Sequence, residues 1–514
     1  MPEWLNDAVF YEIYPQSFYD TNGDGIGDLN GIIEKLDYIK SLGCNALWIN
    51  PMYDSPFRDA GYDVRDYKKV APRYGTNEDA KRMFEEAHKR GIKVLLDLVP
   101  GHTSEEHEWF KESMKPERNE YSDRYVWTDG AFKGIKDHLY VSGESDRDGV
   151  YMLNFFKCQP ALNYGWGKVT ETWQTAAGSE EAKKTVEAMK DIMRFWLDMG
   201  CDGFRVDMAD SLVKDDDEEK NNTQAIWRDV RAMLDTEYPE AAVVSEWSNP
   251  KSAIGGGFHM DFYLDHWRNG YNTLLRDYEP NGFDNDNSYF KKDAVHDINR
   301  FLDDYLPKYE STKDRGYISM FTCNHDTPRP RRTLSEDELK VAYSFIFTMP
   351  GVPFLYYGDE IGMRYRTLTS KEGGYQRTGS RTPMQWNAGS NLGFSEAPSR
   401  ELYLPVDDVH PVNVESAEAD ERSLLNLVRR VIALRHSEDD LKAGSSFEVV
   451  LAEKEKPFIF RRGNLLCIVN PSEEAKEIPQ SVAASVDSRA FSVREEEFNP
   501  KEIAPQEFYV CRVR

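Results

Sequence analysis

The sequence predicts an α/β fold of the parallel type. Eight short apolar runs alternate with helical stretches through the first four-fifths of the chain, the pattern of repeated β/α units. Three of those runs deliver an acid at their C-terminal end, where parallel barrels place their chemistry. At 514 residues the chain is too long for one simple domain, although a (β/α)8 barrel with insertions can take up most of it.

In order, the strand candidates are residues 9–14, 46–50, 92–98, 204–206, 243–245, 261–264, 318–322 and 352–356, short runs rich in branched and aromatic residues. Helical stretches fall between and after them at 31–41, 78–90, 180–199, 223–234, 336–347 and 422–435. After the third strand the spacing breaks: residues 103–178 are aromatic, Gly-rich and charged without helical period, far longer than an ordinary βα loop. Beyond 435 the pattern turns to short β-rich runs at 447–452, 457–461, 465–470 and 507–512. The expected division is a barrel over 1–102 and 179–438, an inserted domain over 103–178 and a small all-β domain over 439–514.

Composition narrows the function classes. An apolar fraction of 40% supports a large core, and a mean hydropathy of −0.68 with no apolar run near ~20 residues excludes a membrane-spanning helix. Net charge is −26, which repels phosphate backbones and anionic membranes, so neither is an expected partner. The acidic runs at 215–219, 415–421 and 495–497 read as solvated faces or loops. Met1-Pro2-Glu3-Trp4 has neither the basic nor the apolar region of a signal peptide. The six cysteines are far apart, several inside apolar runs, and read as reduced core thiols. A cytoplasmic protein is expected.

The chemistry centres on Asp202-Gly203-Phe204-Arg205-Val206-Asp207. Gly203 to Val206 reads as a buried strand and Asp207 stands at its end. Arg205, two residues earlier, shares its face, and its fixed charge is expected to keep Asp207 ionised. Ala241 to Ser245 delivers Glu246 in the same way, and Ile318 to Thr322 delivers Asn324-His325-Asp326. Any one of these acids alone reads as a helix cap or a loop acid; three at three strand ends point to one convergent site.

These stretches, with Asp97-Leu98-Val99-Pro100-Gly101-His102 before them, resemble the signature regions of the α-amylase superfamily of retaining α-glycoside hydrolases and transglycosylases (glycoside hydrolase family 13). The resemblance covers most of the chain. It implies closure of the eight strands into a (β/α)8 TIM barrel, an inserted domain B after strand 3 and a C-terminal β-sandwich. It also implies roles: Asp207 as nucleophile, Glu246 as acid and base, and Asp326 as the acid that stabilises the transition state. His102, Arg205, His325 and Arg329, the last from the Asn324-His325-Asp326-Thr327-Pro328-Arg329 motif, are the substrate contacts the resemblance implies beside them. In Asp59-Ala60-Gly61-Tyr62, Tyr62 is expected to stack on the sugar at the cleavage subsite and Asp59 to hold its non-reducing end.

A second motif lies in the first loop. Asp20-Thr21-Asn22-Gly23-Asp24-Gly25-Ile26-Gly27-Asp28 places oxygen ligands at alternate positions, as hard cations require. The other reading is an Asx-rich turn before a helix. The loop resembles the Ca2+ loop of α-glucosidases of the family, with Asp20, Asn22, Asp24, Asp28 and the Ile26 carbonyl as ligands to a structural Ca2+ or Mg2+. No organic cofactor is implied. A second metal is not expected, because Gly101 stands where the family more often has a ligating Asn.

For activity, Asp210-Ser211 replaces the Lys-His of endo-α-amylases. Asn324 to Arg329 resembles the motif of oligo-1,6-glucosidases and related exo-acting α-glucosidases, and Gln159-Pro160-Ala161-Leu162-Asn163 is close to their Gln-Pro-Asp-Leu-Asn. Arg381-Thr382-Pro383-Met384-Gln385-Trp386 is shared with trehalose synthases, whose late loop resembles residues 402–405 and 412–415. Met208 after the nucleophile leaves linkage open. The expected activity is an exo-acting α-glucosidase on short oligosaccharides or disaccharides. A trehalose synthase or other α-glucosyl transferase is the alternative, and a non-catalytic carbohydrate-binding scaffold the second.

Overall fold

The structure, a computed structural model, describes residues 1–279, 285–495 and 498–514; two residues of the acidic run 495–497 lie outside them. Eight parallel strands form its centre: β1 (Phe10–Ile13), β2 (Ala46–Ile49), β3 (Lys93–Leu98), β4 (Gly203–Val206), β5 (Ala242–Ser245), β6 (Met260–Phe262), β7 (Tyr317–Ser319) and β8 (Phe354–Tyr356). They run in sequence order, with β8 beside β1. The sheet closes just past β7, where Phe321 pairs with Phe354 and the Phe354 amide donates to the Met320 carbonyl at 2.9 Å. The barrel is therefore a ring of eight, as expected.

Local sequence explains how the barrel delivers its site. The helix Glu180–Met199 starts at Ser179, whose side chain accepts from the Ala182 amide, and stops at Gly200 in the left-handed region, φ 120°. β4 follows at once. At Gly203, φ 140°, a Cβ would lie 1.8 Å from the Ala242 carbonyl oxygen, so only glycine lets β4 and β5 approach this closely. One expected element is divided: the helical stretch at 31–41 is two short helices, Leu29–Glu34 and Leu36–Ser41, meeting at Lys35.

Between β3 and Glu180 the insertion has little regular structure, with one two-stranded ladder of Tyr140–Val141 and Tyr151–Met152. Residues 160–163 return to the barrel: the Leu162 amide donates to the Gly101 carbonyl at 3.1 Å and that of Thr103 to Pro160 at 3.4 Å. Ala161 is buried with Val126, Met152 and Trp166. An acid at that position would lie in an apolar cluster, which accounts for the alanine here.

The C-terminal part is an antiparallel sheet of β9 (Glu448–Leu451), β10 (Phe458–Arg462), β11 (Leu465–Asn470), β12 (Val486–Ser492) and β13 (Glu507–Val513), in the order β9-β10-β11-β13-β12. Both edge ladders slip register, at Val449/Leu451 and at Val486/Ser488 and Arg489/Phe491. Alternate side chains serve opposite faces: Phe458, Phe460 and Cys467 join the barrel core, while Ile459, Leu466 and Ile468 pack under a second ladder and a short helix. Arg462, from β10, docks this sheet on the barrel, and Arg435, from the last barrel helix, braces the segment it docks on. Arg435 donates to the carbonyls of Phe347, Met349 and Gly351, and Arg462 to those of Thr348, Lys442 and Ser446. Among the described residues no helix is long and apolar enough to cross a membrane.

Candidate active site

The three acids converge at the C-terminal end of the barrel. Asp207 and Glu246 extend the strand ladders: the Asp207 amide donates to the Leu98 carbonyl at 2.8 Å and the Glu246 amide to that of Val206 at 3.0 Å. Asp326 sits in a turn whose Asn324 side chain accepts from the Asp326 amide at 3.0 Å. Together with Asp59, Tyr62, His102, Phe155, Met208 and Arg377 they line a cavity of about 240 Å³. Met208 holds a strained backbone, φ 42°, and from there its amide donates to Glu246 Oε2 at 2.9 Å. A larger groove, of about 1080 Å³, runs between the insertion and the helices of residues 180–188 and 222–229, away from these acids.

Charge in the cavity differs from the simple expectation for Arg205. Its guanidinium meets three carboxylates: Asp97 at 2.8 Å, Asp207 at 3.1 Å and Glu246 at 2.9 Å. One positive charge is thus divided, and Arg205 alone does not keep Asp207 ionised. Burial, and next the charge of Glu246, push the Asp207 carboxyl well above its ordinary range. The carboxyls of Asp207 and Glu246 are therefore crowded onto one positive charge. Asp97, beneath them, is pushed up to about 6 by burial, although Arg205, Tyr62 and Trp48 all donate to it. Asp207 and Glu246 thus meet different nitrogens of one guanidinium, on the same side of the cavity.

The far wall carries the opposite balance. Asp326 accepts from Arg381 at 2.7 Å and from Arg377 at 3.2 Å. Burial raises its carboxyl, but the guanidiniums of Arg377 and Arg381 outweigh it and hold it well below the usual carboxylate range. Arg377 also reaches Asp59 at 3.5 Å, and Gln159 donates to Asp59 Oδ2 at 2.7 Å. Burial pushes Asp59 up to about 6. Tyr62 stacks on His325, with ring centres 5.4 Å apart, and its hydroxyl meets His325 Nε2 at 2.7 Å. On its other side His325 meets Glu12 at 2.8 Å, and burial keeps the imidazole neutral while raising Glu12.

Arg329 is the expected contact that the structure does not bring to the cavity. It has no exposed surface, pairs with Asp359 at 2.8 Å and donates to the Tyr357 carbonyl. Its motif position follows the third acid, but the chain turns after Pro328 and takes the side chain beneath β8. Conversely, sequence reasoning missed Phe155, Gln159 and Arg377 as site residues and gave Arg381 no role. Arg381 and Gln159 stood inside quoted motifs; Arg377 lies in a loop without periodicity and gave no signal.

In the first loop, Asp20 accepts from the amides of Asn22, Gly23 and Gly25 and from Ser395, which curls the loop around it. Asp28 caps the helix Leu29–Glu34, and Asn22 and Asp24 accept from the amides two residues on. Among the described residues no three acidic, His or Cys side chains form a metal cluster. The side-chain oxygens of Asp20, Asn22, Asp24 and Asp28 accept from amides of the loop, the hydrogen bonding of an Asx-rich turn before a helix.

Residues 12–444 match the alpha amylase, catalytic domain family. The chain belongs to this family. Among its relatives, trehalose synthase/amylase TreS of Mycolicibacterium smegmatis is 35% identical over 491 residues, covering 87% of this chain and 78% of that protein. Oligo-1,6-glucosidase of Heyndrickxia coagulans is 32% identical over 553 residues, covering 93% and 94%. Among solved structures, a mutant of the trehalulose synthase MutB in complex with its substrate sucrose superposes with a TM-score of 0.83 at 25% identity over the whole of both chains. An isomaltulose synthase mutant of Erwinia rhapontici NX5, also with sucrose, gives 0.82 at 26%, covering 100% of this chain and 99% of that one. This α-amylase family member is accordingly a glycoside hydrolase or a related glycosyl-processing enzyme.

Proposed function

We propose that the protein is a retaining, exo-acting α-glucosidase that removes single glucosyl units from the non-reducing ends of short α-glucosides. One observation carries this reading: Arg377 lines the cavity of about 240 Å³ and bridges Asp59 at 3.5 Å and Asp326 at 3.2 Å, a bridge that we read as the end wall of the sugar subsite. A closed end admits a chain terminus and leaves no path for a continuing glycan. In the first half-reaction the Asp207 carboxylate attacks the anomeric carbon while Glu246 gives its proton to the departing glycosidic oxygen, forming a covalent glucosyl ester and a free alcohol. In the second, Glu246 takes a proton from water as that water displaces Asp207, releasing α-glucose. Asp326, held ionised, faces the positive charge that develops on the sugar ring.

The second reading, α-glucosyl transfer or isomerisation, is favoured by the 35% identity to a trehalose synthase/amylase and by the likeness to sucrose-binding isomaltulose and trehalulose synthases. It differs only in the acceptor of the second step, a sugar hydroxyl in place of water. The test incubates the purified enzyme with isomaltose, maltose, sucrose, trehalose, isomaltotriose and trehalose 6-phosphate and follows products by anomer-sensitive NMR at early times. Release of α-glucose supports the glucosidase. Interconversion of maltose and trehalose, or of sucrose and its isomers, with little free glucose replaces it by the transferase.

Two further expectations extend the proposal. The first loop holds a structural Ca2+ through Asp20, Asn22, Asp24, Asp28 and the Ile26 carbonyl, supported by its oxygen-only donor chemistry. A reducing, cytoplasmic setting is supported by six cysteines that are all free and buried.

A further inference from the structure

His102 lines the sugar cavity with both ring nitrogens already engaged. Its Nε2 meets the Tyr62 carbonyl at 3.0 Å, and its Nδ1 meets the side-chain nitrogen of Asn154, in the insertion, at 2.9 Å. Burial lowers the imidazole to about 4, so it is neutral and carries one proton. A carbonyl can only accept, so the Nε2 contact requires that proton on Nε2; Nδ1 must then accept. What compels Asn154 to offer its NH2 rather than its oxygen lies one step further out.

Lys214 is that step. Its buried ammonium donates to Asn154 Oδ1 at 3.3 Å and to the Ser211 carbonyl at 2.8 Å. An ammonium has donors only, so it selects the oxygen of the amide and leaves the nitrogen for His102. The backbone of Lys214 is itself paired with the insertion, accepting from Gly167 at 2.8 Å and donating to Gly165 at 3.0 Å. Gly101 leaves room for the relay, since a Cβ there would lie 2.9 Å from Asn154 Nδ2.

We propose that Lys214 is a positioning residue which, through Asn154, acts with the Tyr62 carbonyl to hold His102 as the Nε2–H tautomer in the wall of the sugar cavity. The relay joins three parts of the chain: the loop following Asp207, the insertion and the end of β3. The charged groups facing Lys214 are Asp210 and Lys220 from its own loop, with His102 from the barrel held neutral. Only the catalytic consequence rests on the glucosidase reading; the tautomer exists without substrate.

The test is 15N NMR of histidine-labelled protein, with His102 assigned by its loss in H102Q. Wild type is expected to show His102 as the neutral Nε2–H form. In Lys214→Met the amide of Asn154 loses its fixed orientation, and the His102 signals move toward a mixture of tautomers. In Asn154→Asp, which keeps a partner for Lys214, the new carboxylate can only accept, so His102 gains a second proton and becomes charged near neutral pH. On an aryl α-glucoside, K214M is expected to lose at least about tenfold in kcat/KM. Burial pushes Lys214 down to about 8, so wild type also loses activity above that pH in a step that K214M lacks. An unchanged Nε2–H signature in K214M overturns the relay, and if K214M fails to fold, the wild-type His102 signals followed to pH values well above 8, where Lys214 loses its charge, decide, an unchanged signature again overturning it. Tautomer changes as predicted in a protein that turns over no glucoside leave the relay standing and sink the glucosidase reading.

Discussion

Asp207 and Glu246 share one guanidinium with Asp97, so replacing an acid here changes the charge of a buried cluster as well as removing a reactive atom. Asp207→Asn keeps the shape and relieves the crowding of carboxylates. It is expected to lower kcat by at least about ten-thousandfold while leaving the thermal midpoint equal to or above that of wild type. Initial rates on an aryl α-glucoside and a melting curve check both halves, and retained turnover ends the nucleophile assignment. At this scale the sequence was legible where an acid followed an apolar run, because a strand end fixes a side chain. It was illegible at Arg377, whose position comes from a loop path and not from a period. Arg329 failed for the reverse reason: a motif position says nothing about which way a buried side chain turns.

The loop after β8 supplies most of what the strands do not. Glu360, in the turn Asp359–Ile361, is fully buried and accepts from Tyr11 at 2.7 Å and Tyr38 at 2.8 Å. Burial pushes its carboxyl up to about 7 from an ordinary 4.5. The folded state thus holds this proton more tightly than the unfolded chain does. The group's contribution to stability is fully present below pH 4.5 and is lost as pH rises to about 7, by on the order of 3 kcal/mol. Glu360→Gln removes the titration, so the stability difference between variant and wild type, measured by urea unfolding, is expected to grow in the variant's favour across that window and then level off. Parallel curves would contradict it. Farther along the same loop, Arg377→Ala opens the end wall and unpairs Asp59. The expected loss in kcat/KM for isomaltose is about ten- to a hundredfold, from charge-assisted hydrogen bonds of about 1.5–3 kcal/mol, with longer oligosaccharides losing less. Equal losses for all chain lengths would mean that Arg377 does not form the end wall. Among the elements, all eight barrel strands were readable from short apolar runs. The strand β12 was not, because its bulges and its Asp487, Ser488 and Arg489 interrupt the alternation.

For the whole molecule, the cation site proposed in the first loop would couple metal binding to stability. If Asp20, Asn22, Asp24 and Asp28 hold Ca2+, millimolar Ca2+ raises the thermal midpoint of EDTA-treated protein by mass action, and Asp24→Ala abolishes the rise. A midpoint indifferent to both Ca2+ and EDTA removes the metal. The order of parts, barrel, insertion and small sheet, was legible because each has its own spacing of apolar residues. The contacts between them were not, since Arg462 reaches the Thr348 carbonyl, far away in sequence, and no pattern marks such a target. The closed ring has a last consequence, for self-association. A barrel has no free edge, so among the larger sheets of the described residues the strands that could recruit a strand from another chain are β9 and β12, at the margins of the C-terminal sheet. Both are bulged and both carry charge, Glu448 on one, Asp487 and Arg489 on the other, which spoils them as templates. The native protein therefore offers a poor seed for aggregation, and the hazardous species is one whose ring has opened between β7 and β8, exposing two parallel edges at once.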